Sequence, residues 1–333
     1  MDASAVLVRA IEPVDLHSLR WVIYRAYFGV LLDLYGREAA VQYEVRSLDF
    51  MAQYLRREPG GCFAAQAGDG TVVGCVFCFV WGQVGWFGSL AVAPEWQGRG
   101  VGQTLTRRAV EHLEARGCRR IGLETWPQSP QMRHLYGKFG FRPCRSTLKL
   151  LRKASPRPAV PGWWATWAGA GDPAGLPAAL DAVGHVGDTL HRACPSEPAA
   201  DHRTEVRVAV EAGWAEVLVL RDPAEEPAAF ALCYVKRPSG APVGALDARL
   251  LAVAPAVPEP ALDALLAECD RRALALGAHS VTCDVNLRHS HAAALLRERG
   301  FRPVYELVRM ERPLTGFDPL GRSRLVDCAR WAG

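Results

Sequence analysis

The sequence predicts an α/β protein made of two similar units, each with a mixed, mostly antiparallel sheet flanked by helices. Three observations predict this fold. The chain has 333 residues, of which 50% are hydrophobic, and this is enough apolar material for two cores. Short sequence patterns recur about 160 residues apart. Antiparallel hairpin patterns precede a strand–helix–strand pattern, which is typical of a sheet with both parallel and antiparallel neighbours.

The repeat divides the chain into units. Leu90-Ala-Val-Ala-Pro94 returns as Leu251-Ala-Val-Ala-Pro255, and Gly140-Phe-Arg-Pro143 returns as Gly300-Phe-Arg-Pro303. Matches at nearly one offset indicate a duplicated domain. We therefore predict an N-terminal unit at residues 1–153, a C-terminal unit at 162–312 and a tail at 313–333. The stretch between the units is rich in proline and predicts a stiff linker.

The elements of the N-terminal unit follow one order: strand, two aromatic-rich helices, hairpin, strand, helix, strand, helix, strand. Their predicted bounds are 6–10, 13–35, 38–57, 62–66 with 71–80, 86–92, 101–116, 120–125, 130–139 and 141–150. The hairpin turns on Gly68-Asp69-Gly70. The helix at 101–116 has apolar residues every four positions and ends before Gly117. We expect the strands on either side of this helix to run parallel and to part at a cleft.

Composition and the chain termini argue against several classes of protein. The net charge of +4 is too small to predict a nucleic-acid or membrane partner. The uncharged stretch 71–94 contains four glycines, which favours two buried strands over a membrane span. No signal peptide is predicted, and a cytoplasmic location is expected. Cys75 and Cys78 match C-x-x-C, but they lie in a strand pattern that points them to opposite faces.

A glycine-rich turn in the N-terminal unit predicts an anion site. The unit has 20 Lys and Arg residues against 13 Asp and Glu residues, which suits an anionic ligand. Its strand 86–92 leads through Gln97-Gly98-Arg99-Gly100-Val101-Gly102 directly into a helix. Alternating glycines expose backbone N–H groups at the positive end of the helix dipole. This arrangement suits a pyrophosphate. A dinucleotide fingerprint is the alternative, but it needs a third glycine that is absent here.

These residues resemble the acetyl-CoA signature of the GNAT acetyltransferase superfamily, Q/R-x-x-G-x-G/A. Leu90-Ala-Val-Ala-Pro94 is similar to the fourth strand of that family. His134-Leu-Tyr136-Gly-Lys-Phe-Gly140-Phe141 is similar to its L-Y-x-x-x-G-F element. The resemblance covers essentially all of the N-terminal unit. With the repeat, it implies a tandem GNAT protein that has an intact N-terminal and a degenerate C-terminal copy.

The resemblance implies that acetyl-CoA is the acetyl donor and that no metal takes part. The pantetheine arm would pair with the backbone of the fourth strand, and the pyrophosphate would lie on the amides of the glycine-rich turn. Ser129 stands where the family often has asparagine, which puts a cofactor contact there in doubt. The expected cofactor-binding residues are Leu90, Ala91, Val92, Gln97, Gly98, Arg99, Gly100, Val101, Gly102, Thr104 and Ser129.

Catalysis in the family is implied to be direct attack of an amine on the thioester, with a base for the ammonium proton and an acid for the thiolate. Tyr136 matches the family's tyrosine, and we assign it the acid role. The strand 86–92 contains no acidic residue, where many relatives have a glutamate. Glu124 is our candidate base, and an ion pair with an arginine is an equal alternative. Glu44, Asp49 and His134 are weaker options for the base.

The C-terminal unit departs from the pattern. Its turn, Ala256-Val-Pro-Glu-Pro-Ala261, has no glycine, and Pro258 and Pro260 remove two N–H donors. Leu296 stands at the position of Tyr136. We predict that this unit keeps the fold and has lost acetyl-CoA binding and catalysis. His289-Ser-His291 is interpreted as a pair of solvated histidines and not as a metal site.

The expected function is N-acetylation of a primary amine of a small molecule, with the chain a monomer or a homodimer. Aromatic residues of the first two helices would line the acceptor pocket. Two other enzymatic activities stay open, that of a mycothiol synthase and that of a protein N-acetyltransferase. A non-catalytic acetyl-CoA sensor also stays open, because the fourth-strand glutamate is missing.

Overall fold

The computed structural model describes residues 6–312, apart from 173, 196 and 257, and residues 326–329. The N-terminal unit contains ten helices and strands in the predicted order. They are β1 Val6–Ala10, α1 Leu16–Ala40, α2 Leu48–Arg57, β2 Cys62–Ala67, β3 Val72–Trp81, β4 Val84–Val92, α3 Val101–Ala115, β5 Arg120–Thr125, α4 Pro130–Gly137 and β6 Arg142–Lys153.

The C-terminal unit repeats this order of elements. They are β7 Trp164–Ala168, α5 Gly175–Ala193, α6 Arg203–Glu211, β8 Ala215–Arg221, β9 Pro227–Lys236, β10 Pro242–Val253, α7 Pro258–Ala275, β11 Ser280–Asn286, α8 Ser290–Glu298 and β12 Arg302–Arg312. A further strand, β13 Val326–Ala329, lies in the predicted tail. The elements from β7 to β12 therefore follow the same order as those from β1 to β6.

The units exchange their last strands. The described strands form one sheet of order β1-β2-β3-β4-β5-β12-β6-β11-β10-β9-β8-β7, with β13 beside β10. Strand β12 of the C-terminal unit lies between β5 and β6 of the N-terminal unit and is antiparallel to both. Strand β6 in turn is antiparallel to β11. Each unit thus completes its sheet with a strand from the other.

Strands β4 and β5 run parallel and then part, as predicted. They pair only from Val84 with Arg120 to Trp86 with Gly122. On its other side β4 stays paired with β3, but the register shifts between Cys75 with Ala91 and Phe77 with Gly88. Two residues of β4 therefore oppose one residue of β3, which is a β-bulge. Ser89 in this bulge has φ 49°, and the bend leaves the end of β4 unpaired towards β5.

Helices cover both faces of the sheet. One core beneath α1, α2, α5 and α6 joins the two units. On the opposite face, α3 and α4 cover one core and α7 and α8 another. Cys75 belongs to the shared core and Cys78 to the core under α3. The prediction that these two thiols face opposite sides of their strand is confirmed.

The helical region differs in one detail from the prediction. The predicted boundary after residue 35 is present as a kink at Gly36, whose φ of 79° is non-helical, but the predicted helix at 38–57 is interrupted between Ala40 and Leu48, where α2 begins. Ser47 caps α2 by accepting a hydrogen bond from Phe50 N at 3.2 Å. A serine before an apolar periodic segment is a helix-start signal, so the start of α2 could have been predicted from the sequence.

None of the helices in the described residues combines the length and apolar character that a membrane span requires.

Candidate active site

A cavity of about 490 Å³ opens where β4 and β5 part. This volume lies within the range of small-molecule sites. Four parts of the N-terminal unit line it: one face of α1, the end of β4, the turn into α3, and the segment from the end of β5 through α4. All four parts belong to the N-terminal unit, in which the sequence predicted a cleft between these two parallel strands.

The glycine-rich turn forms one wall of this cavity. Gly98 and Gly100 have φ values of 75° and 83°, and Gly100 directly precedes α3. This left-handed conformation strains residues that have a Cβ. No atom lies within 4 Å of the Cβ position at either glycine, so the space above the turn is open. The first backbone N–H groups of a helix have no partner within the helix, and here they border a cavity that an anion can enter.

Most of the predicted cofactor residues line the cavity. They are Leu90, Ala91, Val92, Gln97, Gly98, Gly100, Gly102 and Ser129. Three lie outside the lining. Arg99 is exposed and lies over the Trp96 ring at 5.3 Å, Val101 is buried in the core, and Thr104 donates to Gly100 O at 3.3 Å.

The backbone at the end of β4 has the geometry that an extended ligand could use. Ala93 N donates to Val73 O at 2.8 Å, which turns its backbone groups towards β3. Backbone groups alternate in direction along a strand, so those of Val92 face the parting strands. There the Gln97 side-chain amide donates to Val92 O at 3.0 Å.

Tyr136 lies on α4 and also lines the cavity. Its ring is buried and packs edge-on against Phe87, with centroids 6.0 Å apart. Burial raises the pKa of Tyr136 above its ordinary value, because a phenolate would lose its hydration. The hydroxyl therefore keeps its proton at neutral pH and can act as a donor in the cavity.

Glu124 is held in an ion pair with Arg309 of β12. Arg309 donates to Glu124 Oε1 from Nη2 at 3.0 Å and from Nε at 3.2 Å, and Thr147 donates to the same oxygen. The side chains of Glu124 and Arg309 are 0% and 1% exposed. Because residue 124 as a whole is partly exposed, it borders the cavity with its backbone. This is the ion-pair alternative that the sequence left open.

The other candidate bases differ in their surroundings. Glu44 is paired with Arg237 at 2.8 Å and accepts from Ser239 Oγ at 2.7 Å, so a turn of the C-terminal unit holds it. Asp49 is exposed in the first turn of α2, and His134 is exposed at the cavity.

Comparisons with known proteins identify the N-terminal unit. Residues 26–141 match the model of the Acetyltransferase (GNAT) family. This segment is a GNAT acetyltransferase domain. A Bacillus subtilis protein named "putative ribosomal protein bS18-alanine N-acetyltransferase" is 38% identical over 55 residues, which are 16% of this chain and 36% of that protein. The chain therefore aligns with about a third of its curated relative.

Solved structures share the architecture of the whole chain. A "putative acetyltransferase" from Pyrococcus horikoshii matches with a TM-score of 0.65 and 18% identity, over 99% of this chain and 96% of that one. A tandem GNAT protein from the clavulanic acid biosynthesis pathway matches with a TM-score of 0.62 and 16% identity, over 92% and 98%. At these identities the likeness is one of fold.

One face of α1 forms a wall of the GNAT domain's cavity. The sequence analysis expected aromatic residues of this helix at the acceptor side, but it missed Arg25, Ala26 and Gly29, which line the cavity beside Asp33. The spacing of three or four residues along the helix could have grouped them. Trp126, directly after β5, also lines the cavity and meets the Tyr27 ring edge-on at 5.5 Å.

The equivalent position in the C-terminal unit is differently built. Strands β10 and β11 pair only from residue 245 to 248 on the β10 side, and then β13 pairs with Leu250–Val253. A strand of the chain's own tail thus takes the β10 edge that is open in β4. Leu296 is fully buried.

The described residues contain no group of three or more His, Cys, Asp or Glu side chains arranged to hold a metal ion. His289 is buried and directly precedes α8, so the interpretation of a solvated pair was wrong for this residue.

Proposed function

We propose that the chain is an acetyl-CoA-dependent N-acetyltransferase that acts on the primary amine of a small molecule at one site per chain. One observation carries the proposal: the cavity between the parting strands β4 and β5 is bounded both by the positive-φ glycine turn before α3 and by Tyr136. The turn suits a pyrophosphate and the tyrosine suits a leaving thiolate.

The open backbone in this cleft fits acetyl-CoA. The N–H groups from Gly98 to Gly102 would hold the pyrophosphate, and the unpaired edge of β4 at Leu90 and Val92 would hold the pantetheine arm. When bound, acetyl-CoA supplies an activated acetyl group as a thioester. Arg99 and Thr104 lie beside the turn and would add charge and a hydroxyl at its outer rim.

Tyr136 would donate a hydrogen bond to the departing sulfur. Its raised pKa keeps the phenol protonated across the range in which an amine loses its proton.

Glu124 is the sequence-based candidate for the base, but its enclosed ion pair with Arg309 supports a structural role. We therefore propose that water in the cleft receives the ammonium proton. The rate would then rise with pH in proportion to the neutral amine.

The C-terminal unit would bind no acetyl-CoA, because β13 occupies the edge of β10. This unit would serve to shape the acceptor side of the site. Arg237 and Ser239 hold Glu44, and Pro238 O accepts from Ser47 N at 2.9 Å. These contacts fix the segment between α1 and α2.

Acetylation of a protein N-terminus is a second candidate. The name of the Bacillus subtilis relative favours it, since that name specifies the alanine of a ribosomal protein. Acetylation of an alanine-initiated peptide, tested beside small amines, would decide between them.

Calorimetric titration with acetyl-CoA tests the proposal. We expect one site per chain, and we expect Gly100→Val to weaken binding at least about tenfold, because it strains the turn and fills the open space above it. Gly117→Val is the matched control, since Gly117 also has a positive φ, 73°, but lies beyond the opposite end of α3. Two sites, or no binding at millimolar ligand, would overturn the proposal.

A further inference from the structure

Arg46 carries a positive charge for which the described residues supply no carboxylate. It lies between α1 and α2 and is only partly exposed. Its hydrogen-bond partners among the described residues are two neutral hydroxyls, Ser89 Oγ at 2.8 Å and Tyr54 OH at 3.4 Å. An enclosed charge without a counter-ion is costly, and a guanidinium stays charged at every physiological pH.

Two other enclosed arginines, one in the same unit and one in its neighbour, are paired with carboxylates. Arg57, eleven residues along the chain, has Glu205 Oε2 at 3.0 Å, and Arg309 has Glu124 Oε1 at 3.0 Å. The packing of this protein therefore accommodates arginine–carboxylate pairs where arginine is structural. Arg46 differs from these two arginines because tyrosine side chains, and not a carboxylate, lie around its guanidinium.

Arg46 lies beside the cleft, next to residues that line it, although neither Arg46 nor Tyr43 belongs to the described lining of the cavity. Its partner Ser89 is the bulge residue of β4 with positive φ, and the next residue, Leu90, lines the cavity. The Tyr27 ring lines the cavity and stacks on Tyr43 with centroids 5.6 Å apart. Arg46 thus lies beside the parting strands, on the side covered by α1 and α2.

Tyr43 adds a second donor without an acceptor. Its hydroxyl is buried and donates to no acceptor among the described residues. Burial raises the pKa of Tyr43, while the charge of Arg46 and a hydrogen bond from it act in the opposite direction. A guanidinium that lacks a counter-ion and a hydroxyl that lacks an acceptor are satisfied together by one anionic group with two oxygens.

We propose that Arg46, assisted by Tyr43, binds a carboxylate of the acceptor, so that the acceptor is an amino acid or a similar small aminocarboxylate. The inference rests on the proposed acetyl transfer and specifies its substrate class. Because Arg46 bonds to the bulge residue at which the strands part, the carboxylate would lie only a few bonds from the reacting amine. An α-amino acid meets that condition.

The test is a comparison of matched acceptors. Acetyl-CoA is supplied with L-amino acids of aromatic, aliphatic and basic side chains, each beside its decarboxylated amine and its carboxamide, and thiol release gives kcat/KM. We expect at least one amino acid to exceed its decarboxylated amine by about 30-fold or more, the range for an enclosed charge pair. Arg46→Gln should bring that ratio close to one and retain acetyl-CoA binding by calorimetry.

Three variants separate recognition from folding. Arg46→Lys keeps the charge and should keep part of the preference, and Tyr43→Phe should reduce it by a smaller factor. Arg56→Gln is the control, because Arg56 forms an exposed pair with Glu211 at 2.9 Å outside the cleft, and the preference should be unchanged.

A ratio near one in the unaltered protein, or a ratio that survives Arg46→Gln, would overturn the inference while leaving acetyl transfer intact. Selective use of phosphoethanolamine would overturn the carboxylate assignment. If acetyl-CoA binds but no aminocarboxylate is acetylated or titrates into the coenzyme A complex, the inference also fails. Absence of acetyl-CoA binding would instead remove the proposed function, and this inference with it.

Discussion

The pair of Glu124 and Arg309 gives a prediction that separates a structural role from a catalytic one. Glu124→Leu would leave the Arg309 guanidinium enclosed, 4.9 Å from the centroid of the Trp86 ring, with no counter-ion. Removing one partner of a buried pair costs about 3–5 kcal/mol. Arg309→Met leaves a bare carboxylate and should cost a similar amount. For a protein of this size such a loss lowers Tm by roughly 4–7 °C.

The double variant Glu124→Leu/Arg309→Met should recover most of this stability. Two apolar side chains of similar volume replace a buried ion pair at little or no net cost, and Thr147 Oγ1 keeps the hydrogen bond from Asn286 Nδ2 at 2.9 Å. The assays are urea unfolding followed by tryptophan fluorescence, calorimetric Tm, and thiol release with a working acceptor. We expect the double variant to retain activity within about tenfold, because loss of a general base costs 10²–10⁴-fold.

Two outcomes would refute this reasoning. A double variant that is stable but has lost about 10²-fold or more in kcat would make Glu124 the base. A double variant whose destabilisation equals the sum of the two single variants would show that the pair is not coupled.

Further predictions concern the acid, a buried histidine and a helix cap. Tyr136→Phe should lower kcat about 10²-fold while acetyl-CoA affinity by calorimetry is retained; an unchanged kcat would exclude the acid role. Burial lowers the pKa of His202 to about 4. In the unfolded chain this histidine binds a proton below about pH 6.5, whereas in the folded chain it stays neutral down to about pH 4. The free energy of unfolding should therefore fall as pH drops from 6.5 to 4, by about 1 kcal/mol per pH unit. Urea unfolding of His202→Phe should lack this part of the acid loss, and an equal loss would contradict the assignment. Ser47→Ala should cost about 1 kcal/mol in urea unfolding through the lost cap of α2, and no change would mean that the cap is dispensable.

Local patterns were sufficient for most of the elements and for the conformation of the glycine-rich turn. Strands 6–10 and 120–125 have their predicted bounds, because each is a short apolar run between clear breaks. The glycine turn was predicted because its backbone conformation restricts the residue type, and Gly98 and Gly100 do have positive φ.

Contacts between residues far apart in the chain could not be predicted from the sequence. Arg309 stands 185 residues from Glu124, and no local pattern selects it among the arginines of the chain. The strand exchange was equally hidden, because β6 and β12 both begin with Arg-Pro and the sequence does not show which of the two pairs with β5. The bulge at Ser89 depends on the register of β4 against β3. Arg46 becomes a candidate binding residue only through its hydrogen bond to Ser89 in that bulge.

The exchange of β6 and β12 makes this single chain the tethered equivalent of a symmetric dimer. Between those two strands a local twofold relation brings β5 and β11 to equivalent positions. In two separate chains such an interface would dissociate on dilution, but the linker at 154–162 holds both halves at a high effective concentration. During synthesis, however, the first half would emerge with the edge of β5 exposed. The wall of the cleft would then be completed only after residue 312 has left the ribosome, when Arg309 can reach Glu124.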